Sequence, residues 1–574
     1  MENPFIRKDA STLANVESAI SNDAELSSAR KASLRSALNR LSKALNLPLT
    51  SIPADVDFIR VKLARLTPAE VGLTPRRFST VKSEVKFAFK HLGLIGGSTY
   101  LHPITGPWGE LWDVLPSKYA KTTFSRLFRY CSKHGIQPEA VTDKVMDDFR
   151  RALEVETFVK DPRVVHQNNA RVWNQMRGKV VGWPDVVLTV PRYADHYIRD
   201  WSTFPDSLRA DVDAFLARQG SDDLFDVEGP PKPLKVQTLR KYGYELRRTA
   251  SILIECGHDP ATLQSVGDLV VSDRVAEVLR FILSRTGRKK SQSASDLATL
   301  LAKVAKYYVK VPAEEPDRIK RFNTRVRPSP GLSRKNRDRI TPLRDPVNLA
   351  KLFMLPNKIH KTVESKLKSS RSDALLMQHA VGLSVLTYAP IRISNLASLN
   401  CDHHLQWTQQ GQSGELVIDF DGDEVKNNQS LSFPLPRDCA NLIRLYLRKY
   451  RPLLAAESSR YLFPGPFSDR PKRADTLSKQ LSRRIRTTIG LQVNPHLYRH
   501  LVHIIVLQRF PGAYAMVSRI LGHKSLQTAI ANYAAEDINI SMQAFQDLIQ
   551  EVRSNTAPLR NTHAAAYGFE ERHF

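Results

Sequence analysis

Two stretches decide how this chain reads: YAPIRISNLASLN at residues 388–400 and PHLYRHLVHI at residues 495–504. The second runs on as HLYRHLVHIIVLQR, a helical pattern that puts His496 and Arg499, three residues apart, on one face. The first is the end of a helical run, ALLMQHAVGLSVLTYAP, and sets Arg392 just ahead of another helical stretch. Between the two lies ELVIDFDGDEVKNNQSLSFPLP, whose β-rich runs flank polar turn residues and predict a hairpin. From about residue 345 to 553 the expected fold is therefore mainly α with a small antiparallel β-sheet, an α+β arrangement.

Further along, LGHKSLQTAIANYA at 521–534 contains His523 and Tyr533, and the hairpin segment VKNNQSLSFPLP contains Lys426. Any one Arg or Tyr of a basic chain is most simply a surface or packing residue; the order and spacing of the set carry the information. Arg392, Lys426, His496, Arg499, His523 and Tyr533, in these contexts, resemble the catalytic set of the tyrosine recombinase (phage integrase) family. The resemblance covers about a third of the chain.

The chemistry of the residue types agrees. Attack of a side-chain oxygen on a phosphodiester puts negative charge on the non-bridging oxygens. Two guanidiniums, always protonated and each a planar fork of donors, suit that charge. A phenol with an ordinary pKa near 10 is a poor nucleophile and an alkoxide a poor leaving group, so proton transfer is needed at both. The resemblance implies Tyr533 as nucleophile, Lys426 as general acid for the 5′-oxygen, His496 assisting at the tyrosine and His523 on a phosphate oxygen. It implies no metal and no other cofactor, which fits the lack of a GxxxxGK[ST] loop. It further implies double-stranded DNA with inverted half-sites as partner, a homo-tetrameric synaptic complex, companion recombinases in some cases, and a helical clamp ahead of the catalytic domain.

Two features depart from the family pattern. Asn395 stands where many relatives have an acidic residue, and Tyr533 lies ten residues after His523 where nine is commoner. Tyr498, inside the HxxR motif, and Tyr514, ahead of the histidine, are weaker candidates for nucleophile. His500 and His503 read as packing or supporting residues, and Trp407 as a core or surface aromatic.

Composition supports a polyanionic partner. Among 574 residues, 85 Lys and Arg face 58 Asp and Glu, a formal net charge of +27 that self-repels unless neutralised. No stretch approaches the roughly 20 apolar residues of a membrane span, and the N-terminus carries no secretory pattern, so a cytoplasmic protein is expected; the resemblance implies a DNA-associated one in a prokaryotic cell. Cys131, Cys256, Cys401 and Cys439 form no CxxC pair or zinc spacing and read as mostly buried, reduced thiols.

Ahead of the catalytic region, residues 1–66 read as a helical extension and 67–200 as a helical module that is a candidate for DNA binding. A second, core-binding-like module spans 230–310, and 311–344 reads as a basic linker, RIKRFNTRVRPSPGLSRKNRDRITPLR, interrupted by Pro328, Pro330 and Gly331. The segments from Lys118 and Thr238 look like an internal repeat: a basic amphipathic helix, a Cys, a capping Gly (Gly135, Gly257), a Pro (Pro138, Pro260) and a second helix. The second copy is the better candidate for the clamp. Residues 554–574 read as a polar tail.

The expected activity is integration, excision or resolution for a mobile element, as in transposition. Alternatives are a catalytically impaired accessory protein of the same fold and a type IB topoisomerase-like enzyme. A helical RNA-binding or chromatin-like protein would explain the charge alone.

Overall fold

The computed structural model describes residues 11–522, except 96–101, 192, 194–196, 224, 226–228, 231, 330, 409–414, 426–427, 456–457, 468–469 and 511, together with 530, 546, 549 and 550. The chain divides into two compact units, residues 1–191 with 331–574, and residues 192–330.

The first unit opens with α1 (Leu13–Asn22), α2 (Ser28–Leu45), α3 (Val56–Arg65) and α4 (Pro75–His91). Helix α4 carries an apolar stripe of Phe78, Val81, Val85 and Phe89, and buries it with Leu34, Leu38 and Leu41 of α2 in one core. The boundary expected at residue 66 thus falls inside a single core. An amphipathic helix needs apolar cover, and the stripe of α2 supplies it. Next come α5 (Pro107–Asp113), α6 (Lys118–Lys133), α7 (Asp143–Glu156) and α8 (Pro162–Met176). Their core is aromatic: Trp108, Phe124, Phe128, Trp173 and Trp183 pack in tilted and edge-on pairs. The indole N–H groups of Trp108 and Trp173 donate to the Ile136 and Val186 carbonyls at 2.7 and 3.0 Å, so these rings are buried without stranding a donor.

The second unit holds α9 (Asp206–Gly220), α10 (Val236–Glu255), α11 (Val266–Leu269), α12 (Ser272–Thr286), α13 (Gln292–Lys303) and α14 (Glu314–Val326). Its core runs from Phe204, Leu208 and Val212 to Ile319 and Val326, wider at both ends than the expected 230–310. Much of the expected linker is therefore structured. Helix α14 buries Ile319 and packs on α13, while Ser295 donates to Asn323 at 2.6 Å and the Arg318 guanidinium donates to Ser272 and Asp273 at 2.9 and 2.6 Å. Glu314, Glu315 and Asp317 in its first turn suit the positive end of the helix dipole. Charge density read as solvated chain here belongs to the outer side of a packed helix.

The rest of the first unit contains α15 (Arg334–Ile340), α16 (Pro346–Phe353), α17 (Leu355–Glu364), α18 (Arg371–Tyr388), α19 (Ile393–Ala397), strands β1 (Leu405–Trp407), β2 (Leu416–Phe420) and β3 (Leu431–Leu435), then α20 (Arg437–Leu445), α21 (Ala474–Ile489), α22 (Pro495–Arg509) and α23 (Tyr514–Leu521). It is mainly α with one small antiparallel sheet in the order β1-β2-β3. The expected hairpin is β2–β3, in register at Ile418–Phe433 and Phe420–Leu431. Strand β1, too short to show a period, adds to its far edge. Helix α18 is buried on nearly every side from Met377 to Leu386, which fits its near-continuous apolar run.

No helix among the described residues is long and apolar enough to cross a membrane. Cys131 and Cys439 are buried, Cys401 is partly buried and Cys256 is exposed at the end of α10. Trp407 is half-buried beneath the Arg444 guanidinium, 4.5 Å from its centroid. The tail at 554–574 lies outside the described residues.

Candidate active site

The site is assembled at the end of α18. Pro390 cannot continue a helix and disfavours the helical region for Ala389, which is extended at φ −121°, ψ 90°. The chain restarts at once as α19, with Arg392 at its N-cap in extended conformation (φ −67°, ψ 146°). The Arg392 guanidinium is half-buried, and burial pulls its pKa down. Among the described residues it has no hydrogen-bonding or ionic partner. A desolvated cation left so is suited to an anionic ligand.

Helix α22 supplies the second guanidinium. Asn494 caps it, its side chain accepting the Leu497 N–H at 3.1 Å, and Pro495 fills the first helical position, where no N–H is required. His496 follows at the surface, and Arg499, one turn on, is buried at 5 % exposure. Its two terminal nitrogens donate to the Pro390 carbonyl and the Leu521 carbonyl, both at 2.7 Å. One side chain thus joins three segments: the loop two residues before Arg392, the helix carrying His496, and the end of α23 two residues before His523. Burial and the neighbouring Arg392 lower its pKa to about 10, so it keeps its charge at neutral pH.

The His496 imidazole is pulled below its usual pKa by burial of part of the ring and by Arg499 and Arg392. The neutral form, able to accept a proton, is thereby favoured. His500 stands edge-on to it, ring centroids 4.9 Å apart, and is pushed down to about 4 by burial and by His496 and Arg499. His503 Nδ1 lies 3.3 Å from the Arg499 carbonyl.

Of the two alternative tyrosines, Tyr498 is not presented for attack and Tyr514 is partly buried. Tyr498 is buried at 2 % exposure, with its phenol pKa raised by desolvation and its hydroxyl unpartnered among the described residues. Tyr514 packs with Leu507, Val517 and Leu521. Asn395 is buried and its side-chain oxygen accepts from Ser394 at 3.2 Å. The structure brings Arg392, His496 and Arg499 together; Lys426, His523 and Tyr533 lie outside the described residues.

Sequence reasoning missed what holds α22 in place from outside. Glu70, in the middle of a short turn at Ala69–Val71, receives the Arg486 guanidinium on both oxygens, at 2.8 and 2.9 Å. It also accepts from the Thr67 N–H at 2.7 Å and from Gln492 Nε2 at 3.2 Å. Arg486 donates as well to the Arg65 carbonyl, and Thr67 Oγ1 donates to the Arg486 carbonyl at 3.3 Å. Gly490 turns the chain out of α21 at φ +77°, where a Cβ would sit 2.8 Å from the Ala69 oxygen. The loop from α21 to α22 is therefore fastened to residues 65–70. Nothing in either local sequence marks the partner, which lies more than 400 residues away.

Comparison with known families gives this geometry a setting. Residues 357–539 match the model of the phage integrase family. This segment belongs to that family. Among solved structures, the chain is similar to the XerH site-specific recombinase bound to difH substrate in a pre-cleavage complex: 14% identity over 51% of this chain and 76% of that one, TM-score 0.32. A post-cleavage complex of XerH with palindromic difH gives 12% identity over 54% and 79%, TM-score 0.34. XerA recombinase gives 16% identity over 55% and 91%, TM-score 0.22. No curated protein matches the chain. The phage integrase segment takes in Arg392, His496 and Arg499 together with the sequence positions of Lys426, His523 and Tyr533.

Proposed function

We propose that the chain is a site-specific DNA recombinase that cleaves and rejoins DNA through a bond from Tyr533 to phosphorus. The observation that carries this reading is the pairing of half-buried Arg392, without a partner among the described residues, with Arg499, which its two carbonyl contacts hold in place. A scissile phosphate between them meets two cations, Arg499 already held in place, as its negative charge grows. Tyr533 Oη attacks phosphorus and gives up its proton toward His496. The P–O5′ bond breaks and the departing oxygen takes a proton from Lys426, leaving a 3′-phosphotyrosyl link and a free 5′-hydroxyl. His523 donates to a phosphate oxygen. Reversal by a 5′-hydroxyl from a partner strand rejoins the DNA, and the linkage conserves the bond energy without ATP. In this reading the protein acts for a mobile element in a prokaryotic cytoplasm, on inverted half-sites and as a tetramer in synapsis, with the second unit as the clamp.

The test is a denaturant-resistant protein–DNA adduct on nicked fragments from the element's ends, compared between wild type and Tyr533→Phe. An adduct in wild type alone supports nucleophile and reaction class together. An adduct that survives the substitution assigns the wrong tyrosine. Tight binding with no adduct, companion proteins having been supplied, favours an impaired accessory protein.

A further inference from the structure

Ten residues, 421–430, separate the end of β2 from the start of β3, against roughly two to five in a common hairpin connection. Lys426, the proton donor of the proposed reaction, stands in this stretch. A connection of that length has many conformations open to it unless something holds it. A general acid works only within hydrogen-bonding reach of the oxygen it protonates.

His404 supplies the hold. Its imidazole is buried at 7 % exposure and packs on the Phe420 ring, centroids 4.8 Å apart. Nδ1 accepts the Asn400 N–H at 2.9 Å. A backbone N–H can only donate, so in the neutral ring the proton is on Nε2. That nitrogen donates to the carboxylate of Glu424, two residues before Lys426, at 3.0 and 3.1 Å from its oxygens. Glu424 also accepts the Asp421 N–H at 3.2 Å, which closes the short turn Gly422–Glu424. Val425 follows into the core at 1 % exposure, and its carbonyl accepts the Asn428 N–H at 3.2 Å. Gly422 approaches Asn428 so closely that a Cβ there would sit 3.3 Å from the Asn428 carbonyl. The residues on either side of 426–427 are thus tied to each other and to His404.

The far end of the tie is the segment that carries Arg392. Helix α19 leads from Arg392 to Leu399, fully buried, whose carbonyl accepts the Leu462 N–H at 2.8 Å. Asn400, the residue bonded to the imidazole, pairs with Tyr461 in an antiparallel bridge. One ring therefore connects the fixed chain after Arg392 to the turn that leads into Lys426. We propose that His404 and Glu424 are positioning residues for the general acid, their contact setting where Lys426 meets the departing 5′-oxygen. The proposal rests on the recombinase reading, and neither residue touches the reacting atoms in it.

The test is the rate of Tyr533 adduct formation by the full chain on two nicked duplexes, alike except that sulfur replaces the bridging 5′-oxygen at the cleavage site in one. A thiol, with a pKa near about 8.5, departs as the thiolate and needs no proton donor. Lys426→Ala should lose on the order of 10²–10⁴ on the oxygen duplex and little on the sulfur one. Glu424→Ala, at an exposed side chain, and His404→Ala should each lose about 10- to 100-fold on oxygen, as a misplaced reacting group does, and stay within about twofold of wild type on sulfur. His404→Gln, whose amide N–H can replace the Nε2 donor, should recover most of the loss. Equal losses on both duplexes would make the contact a support of the fold alone and overturn the proposal. So would wild-type rates on oxygen in both alanine variants. A second arm needs no DNA: amide exchange over residues 422–428 should quicken roughly 5- to 10-fold in Glu424→Ala, and unchanged exchange overturns the proposal too. Absence of any wild-type adduct refutes the recombinase reading instead, and the exchange arm then still decides whether this contact holds the loop.

Discussion

Replacing Arg499 with lysine keeps the charge and removes the fork. The guanidinium reaches the Pro390 and Leu521 carbonyls with separate nitrogens and is 5 % exposed. A lysine has one nitrogen to share among two carbonyls and a phosphate, so at least one buried carbonyl loses its donor. Leaving a buried acceptor unsatisfied costs about 1–3 kcal/mol. For a domain of this size that corresponds to a fall of roughly 4–8 °C in melting temperature per 2 kcal/mol. Cleavage should drop further, by on the order of 10²–10³, since a donor to the transition state is lost as well. Arg392→Lys is the contrast. With no partner among the described residues, Arg392 should lose a similar factor in adduct formation while its melting temperature stays within about 1 °C. Scanning calorimetry and the rate of adduct formation on a nicked duplex measure the two effects. Equal melting temperatures for wild type and Arg499→Lys would refute the claim that this side chain ties the three segments together.

Two further outcomes follow from the packing around the site. Glu70→Gln should free the loop that leads into α22: replacing the charge-assisted contacts to Arg486 loses about 1–2 kcal/mol, and amide exchange over residues 486–494 should quicken roughly 5- to 30-fold. Burial pushes the Glu70 carboxyl up, but the Arg486 and Thr67 donors outweigh it and hold the group below its usual range, so its stabilisation is present above the unfolded value of about 4.3 and is lost as pH falls through the lower folded value. Wild type should therefore come to resemble the variant only in acid. Lys472, donating to Gln378 and to Gln480 at 3.3 Å, is brought down to about 8 by burial. Between that value and the unfolded one near about 10.4, the unfolded chain binds more protons, so stability should rise with pH over this window. Lys472→Met should flatten the rise in urea unfolding followed from pH 7.5 to 10; an equal rise in the variant would show that Lys472 is not its source.

Sequence alone determined the segments and the residue types. Helical runs gave α18 and α22, β-rich runs around polar turn residues gave the β2–β3 hairpin, and motif order singled out Arg392, His496 and Arg499. These signals are local, carried by spacings of two to four residues. Tertiary structure decided what depends on partners far away in the chain. Residues 314–326 read as a solvated basic linker, because charge density says nothing about which side of a helix is covered; Ile319, at 0 % exposure, shows the covered side. The boundary drawn at residue 66 failed for a related reason, since the stripe of α4 does not reveal that its cover is α2. The carbonyl anchors of Arg499 and the Glu70–Arg486 contact were equally hidden, because a backbone oxygen carries no sequence signature and an ion pair across more than 400 residues leaves no local pattern.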